Sequence, residues 1–163
     1  IMTDAEAEHN RAMLDLEIKN LSNMGKQLEI PFEAHALSAH RNPTQVHEFA
    51  STAKQRGIKV VIAAAGMAAA LPGVVAAITP LPVLGVPIQT SVMGGLDSLL
   101  SMVQMPGGIP VACVAIGKAG AKNAAYLAAQ ILGIEDADVA DKLKKDREDN
   151  AEVVRQKNAK LNA

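Results

Sequence analysis

A chain of 163 residues is long enough for one domain with a substantial core. Its 16 Lys and Arg against 17 Asp and Glu leave a net charge of −1, which excludes the clustered basic footprint of a nucleic-acid binder. The charge is uneven: residues 58–134 are nearly uncharged and rich in Ala, Val, Gly and Leu, while 135–160 are heavily charged. In chain order, residues 3–10 are polar and open a helix, with Thr3 or Asp4 as cap. Apolar residues at Met13, Leu14, Leu16, Ile18, Leu21, Met24 and Leu28 continue it as a helical stripe, ended between Gly25 and Pro31. Phe32 to Leu37 alternates loosely and predicts a short strand. Asn42 as N-cap and Pro43 at the first helical position start a second helix, stopped by Gly57.

Ile58 to Ala65 reads as a buried strand ended by Gly66, and Ala68 to Thr79 as an Ala-rich helix with Leu71-Pro72-Gly73 near its start. Pro82 to Pro87 is a further strand, Leu96 to Val103 a helix, and Met105 to Pro110 a loop. Val111 to Ile116 is predicted as strand, Gly117 to Gly120 as turn, Ala121 to Leu132 as helix, and 136–160 as a charged final helix with few apolar positions. This divides the chain into an α/β unit over 1–134 and a charged helical extension over 135–163. Strands alternating with helices imply a parallel sheet covered on both faces, because parallel strands need crossover connections. Ligands in such sheets bind outside the carboxyl ends of the strands. That rule selects the turns 38–43, 65–73, 87–98 and 117–123.

Other chemistry is sparse. The lone Cys113 lies in an apolar run and excludes a disulfide framework or a CxxC metal pair. His9, His35, His40 and His47 do not show metal-ligand spacing, so no metal is expected. No run of strongly apolar residues without Pro or Gly breaks is long enough for a transmembrane helix, and no signal peptide opens the chain. The expectation is a cytoplasmic protein without membrane or nucleic-acid partners. The start at Ile1-Met2 reads as trimmed. Within the selected turns, Ser38-Ala39-His40-Arg41 puts a hydroxyl, an imidazole and a guanidinium on one strand-to-helix turn. A cation at a helix start opposes the helix dipole, so Arg41 calls for an anion partner. Asp97 and Ser98 open a helix, where capping explains them about as well as ligand contact does.

Five blocks carry a resemblance: Ser38 to Arg41, Ala69 to Gly73, Leu81 to Pro87, Gly95 to Pro106 and Ala115 to Gly120. Together, in this order, the chain resembles the bacterial N5-carboxyaminoimidazole ribonucleotide mutase family, also called the catalytic subunit of phosphoribosylaminoimidazole carboxylase. The similarity runs from about Ile30 to Leu132. It implies a three-layer, flavodoxin-like α/β/α sandwich, a homo-octamer with sites formed between subunits, and no cofactor. It implies a carboxylate transfer from the exocyclic nitrogen to a ring carbon of aminoimidazole ribonucleotide, in purine (IMP) biosynthesis. A related branch of the family carboxylates the ribonucleotide directly with CO2. By the same resemblance His40 is the catalytic proton carrier, and Arg41 holds the substrate with Ser38 and Ala39 beside it. Gly66, Ala70, Leu71, Gly73, Ser98, Met105 and Pro106 line the pocket.

The chain departs from that family in two places. The N-terminal Gly-Ser-x-Ser-Asp signature is missing, and the family's Ala-His-Leu-Pro-Gly reads Ala69-Ala70-Leu71-Pro72-Gly73 here. The neighbouring Gly-Gly pair reads Gly66-Met67. Each lost buried or charge-assisted hydrogen bond weakens binding by roughly 1.5–3 kcal/mol. Two functional readings follow: a mutase, or a copy that keeps the fold as a nucleotide-binding or oligomer-stabilising module.

Overall fold

The computed structural model describes residues 4–91 and 93–162. The possible Thr3 cap and the Ile1-Met2 start lie outside the described residues. Six helices and three strands follow in the order α1 (Asp4–Gln27), α2 (Pro43–Thr52), β1 (Val61–Ala65), α3 (Leu71–Ile78), β2 (Val83–Pro87), α4 (Leu96–Val103), β3 (Ala112–Cys113), α5 (Lys118–Leu132) and α6 (Ala137–Leu161), with a short turn of 3-10 helix at Met93–Gly95 before α4. The strands form one parallel sheet in the order β1-β2-β3. Val61 stands opposite Val83 and Ala65 opposite Pro87, while β3 meets β2 only at Leu84–Ala112 and Gly85–Cys113. This is a flavodoxin-like α/β fold, as the family resemblance implies, and its parallel sheet is the one that the alternation of apolar runs and helical stripes implies.

Two helical layers sandwich the sheet because its strands are apolar on both faces. On one face, Val61 and Val83 pack with Val46 and Ala50 of α2 and Val75 of α3. On the other, Leu84 and Val86 pack with Ala121 and Ala124 of α5, backed by Ile62, Ala64 and Ile131. Outside α5 a second cluster joins Met24 and Leu28, from the end of α1, to Ala125 and Ala129 of α5 and to Val139 and Leu143 of α6. Each Val or Leu buried this way contributes about 1.5–3 kcal/mol. Alanines carry α5 close to the sheet. At Gly120 the helix meets the loop after β3 so closely that a Cβ would collide with the Ala115 carbonyl oxygen.

Several predicted boundaries move. Helix α3 starts at Leu71 rather than Ala68, with Pro72 in its first turn, where a missing N–H costs nothing. Helix α5 starts at Lys118, directly after Gly117 at φ 72. Strand β3 keeps two residues of the predicted 111–116. Asn42 does precede α2, but it makes no side-chain cap. Its Oδ1 instead accepts from the Ser38 N–H at 2.6 Å.

The largest difference is at Phe32 to Leu37, predicted as a strand and found without strand pairing. Its side chains hold it to α2 and the turn after it rather than to a sheet. Glu33 pairs with Arg56 at 2.8 Å, and His35 lies against the Phe49 ring at a centroid distance of 5.1 Å. Residues 31–36 are exposed throughout. A strand needs a neighbour's backbone as well as its own alternation, and the sheet stops at β1, leaving these residues across a groove from it.

Candidate active site

The turn 38–42 is closed by its own atoms. The Asn42 N–H donates to the Ser38 carbonyl at 3.0 Å, and the Arg41 N–H to Ser38 Oγ at 3.3 Å. With the Asn42 amide bonded back to Ser38 N–H, the turn is a small knot that leaves His40 and Arg41 exposed. Ser38 and Ala39 are half-buried beneath them. Leu37, one residue before, packs into the same cluster as Leu71 at the start of α3. That shared core places the turn on the α2–α3 side of the sheet.

The loop after β1 is held from a distance in sequence. Ser98, wholly buried in the first turn of α4, accepts the Met67 N–H at 2.9 Å. Ser101, one turn later, donates to the Met67 carbonyl at 3.2 Å and to the Asp97 carbonyl at 2.7 Å. Met67 itself sits at φ 60, a left-handed conformation that costs a side-chain-bearing residue roughly 1–2 kcal/mol. Its bonds to α4 offset that strain. Gly66 beside it is close to the loop after β2, because a Cβ there would meet Ile88 Cβ at 3.3 Å and Thr90 Cγ2 at 3.5 Å.

The loop after β2 is anchored by the buried Thr90, whose hydroxyl donates to Asp97 Oδ1 at 2.8 Å. Gly95, at φ 96, lies against the carbonyl of Ile88 and the side chain of Ile116. This joins the loops after β2 and β3. Ala70 precedes α3 and Leu71 opens it, both half-buried. Gly73, in the first turn of α3, faces Met105: a Cβ at Gly73 would lie 3.1 Å from Met105 Sδ. Pro106 follows Met105 in an exposed loop.

The structure therefore gathers the predicted residues in three groups. Gly66 and Ser98 meet through Met67, Gly73 meets Met105, and Ser38, Ala39, His40 and Arg41 form their own turn. Sequence reading missed Thr90, Ser101 and the pairing role of Asp97. The spacing of Asp97, Ser98 and Ser101 along the first turns of α4 was the available signal, and their partners lie 7 to 34 residues away. The shifted pKa values lie outside this set, Glu33 and Cys113 among them. A hydrogen bond from Arg56 holds the Glu33 carboxyl below its ordinary range, and burial pushes the Cys113 thiol up. Among the described residues, no three His, Cys, Asp or Glu side chains group as metal ligands. No helix among them is long and apolar enough to cross a membrane.

An exposed imidazole and guanidinium on one closed turn are the residue types that proton transfer on a bound anion needs. The family model for AIR carboxylase (AIRC) matches residues 14–153. An N5-carboxyaminoimidazole ribonucleotide mutase of Bacillus subtilis is 54% identical over 137 residues, which is 84% of this chain and 85% of that one. A protein of the same name from Saccharolobus solfataricus is 59% identical over 124 residues, covering 76% of this chain and 77% of that one. The crystal structure of Treponema denticola PurE superposes with a TM-score of 0.79 at 28% identity, over 90% of both chains.

Proposed function

Because the chain belongs to the AIR carboxylase family, we propose that it is an N5-carboxyaminoimidazole ribonucleotide mutase of purine biosynthesis. The observation that carries this reading is the Ser38-Ala39-His40-Arg41 turn, set within a chain 54% identical to a mutase of that name over 84% of its length. The reaction breaks the bond between the exocyclic nitrogen and the carboxylate carbon, releasing CO2 into the pocket. The nucleophilic ring carbon then attacks that CO2 and forms a carbon–carbon bond. One proton leaves the ring carbon and one is delivered to the nitrogen, so the sum is an isomerisation that consumes no co-reactant.

His40 is the group that carries that proton, since an imidazole can both accept and donate one. Arg41 supplies a permanent cation for the ribonucleotide phosphate. Ser38 and Ala39 floor the turn. Gly66, Ala70, Leu71, Gly73, Ser98, Met105 and Pro106 form the facing wall, whose small side chains leave room for CO2 to turn between its two attachment points. The working form is a homo-oligomer, an octamer, in the cytoplasm, with neighbouring subunits closing the site over the exposed turn. The charged helix over 135–163 is an extension of the α/β unit rather than part of its site.

The test is interconversion of the two carboxylated isomers by purified protein. Wild type is expected to turn over, and His40→Asn to be slower by about 10²- to 10⁴-fold. Equal rates in the two proteins overturn the role of His40. A second reading, a nucleotide-binding module without turnover, is favoured by Ala70, which places a methyl group where the family carries an imidazole. Calorimetric binding of aminoimidazole ribonucleotide by a protein that shows no turnover selects that reading.

A further inference from the structure

The end of β1 and the loop leaving it are almost without side chains. From Ala63 to Ala70 the chain reads Ala-Ala-Ala-Gly-Met-Ala-Ala-Ala, so Met67 is the one residue there with more than a methyl group. The loop stands at the carboxyl end of β1, where open parallel sheets bind their ligands. Any contact made from it by more than backbone or a methyl comes from Met67. That side chain is 42% exposed, although a thioether chain is apolar and gains by burial.

The backbone adds a second observation. At φ 60 Met67 lies in the left-handed region, which glycine enters freely and a residue with a Cβ enters at a cost. Such conformations persist only where the surroundings hold them, and they gather at functional sites. Three bonds hold this one. The Met67 N–H donates to the buried Ser98 Oγ at 2.9 Å, and its carbonyl accepts from Ser101 Oγ at 3.2 Å and from the Ala69 N–H at 2.8 Å. All three run through the backbone, so glycine would make them equally well and without strain. The Ala70 N–H then donates to the Ala68 carbonyl at 2.8 Å, which leads the loop directly into α3. The fold thus accounts for the backbone at 67, whereas a methionine there is a cost unless its side chain is used.

Taking the mutase reading as the basis, we propose that Met67 is a specificity-determining residue of the candidate site, its thioether lying against the heteroaromatic ring of the bound ribonucleotide. A thioether is soft and polarizable, and it packs favourably against an aromatic ring. An aminoimidazole is planar, and its face is the part of the ribonucleotide that such a group recognises; the phosphate and the sugar hydroxyls call for charge and hydrogen bonds instead. Met67 touches the ring before the reaction as well as during it, so it contributes to binding more than to the barrier. Its role is therefore distinct from proton transfer at His40 and from phosphate binding at Arg41.

The test is calorimetric titration of the full chain with aminoimidazole ribonucleotide, which reads binding with or without turnover. Met67→Gly is expected to bind it about tenfold more weakly or worse, and in turnover to raise KM with little change in kcat. Met67→Leu keeps an apolar side chain of similar volume and is expected to bind as wild type does. Met67→Asn tolerates the left-handed backbone but is polar, and is expected to bind as weakly as Met67→Gly. Ribose 5-phosphate keeps the sugar and phosphate and lacks the ring, so its affinity for wild type and Met67→Gly is expected to agree within about a factor of two. Equal affinity of wild type and Met67→Gly for the ribonucleotide overturns this role, and so does equal affinity of Met67→Asn and Met67→Leu. Ribose 5-phosphate weakened in step with the ribonucleotide also overturns it, because the substitution has then moved the loop rather than removed a contact. A wild-type chain that binds no ribonucleotide overturns the mutase reading as well, whereas a wild type that binds it leaves the variants to decide on Met67 alone.

Discussion

The two regions that carry the candidate site residues are built differently. The loops after β1 and β2 are fastened by buried groups: Ser98 to Met67, 31 residues away, Thr90 to Asp97 within the same loop and helix start, and Gly95 against Ile116. Among the described residues, the turn bearing His40 and Arg41 is hydrogen-bonded to itself through Ser38 and Asn42, on a segment that lies open to the groove. A preorganised wall keeps its geometry when one contact is lost, whereas a self-tied turn depends on what stands behind it. The residues proposed to do the chemistry thus sit on the less supported side.

Three substitutions separate the two regions, in descending size. Gly120→Ala drives a methyl into the Ala115 carbonyl, where the flanking atoms are backbone and cannot swing aside. It is expected to destabilise the chain by about 3 kcal/mol or more, read as the shift in urea midpoint. Ser98→Ala deletes the acceptor for the Met67 N–H at a fully buried position. About 1–3 kcal/mol should be lost, with increased exchange at the Met67 amide and little change at residues 38–42. If the amides of 38–42 loosen equally, the two walls are one unit and the contrast fails.

Glu33→Gln has the smallest effect and acts only on the open segment, through the exposed pair with Arg56, worth at most about 1 kcal/mol. Arg56 lowers the Glu33 pKa from its ordinary 4.5, so the folded state binds fewer protons than the unfolded one near that pH. The stabilisation is therefore present above about 4.5 and is lost as the pH falls through the lower folded value. Thermal midpoints of wild type and Glu33→Gln should differ at pH 7 and converge by pH 3. A gap that persists at pH 3 would show that the side chain acts by something other than its charge.

Local signals were legible where local chemistry decides structure. Pro43 and Gly66 bound elements where the structure does, whereas α2 ends at Thr52, ahead of the expected stop at Gly57, and the parallel sheet follows from the alternation of runs and stripes. The errors came where a distant partner decides. Phe32 to Leu37 has the alternation of a strand but no adjacent edge within reach, and no reading of six residues reveals that. Asn42 stands at the start of α2 as its residue type implies, yet its Oδ1 accepts from the Ser38 N–H rather than from the first turn of the helix. In the site, the motif positions were legible from resemblance. The Ser98–Met67 bond was not, since it spans 31 residues and ties a helix side chain to a loop backbone.

Helix α6 carries a consequence of a different kind. Its buried positions, Val139 and Leu143, lie in its first two turns, and from Arg147 to Leu161 every residue is exposed. At 1.5 Å per residue that free length is about 20 Å. A single chain therefore tumbles as a body with a boom, and friction on the boom slows its end-over-end rotation more than its mass would suggest. The outer stretch also carries Val153, Val154 and Leu161 into solvent.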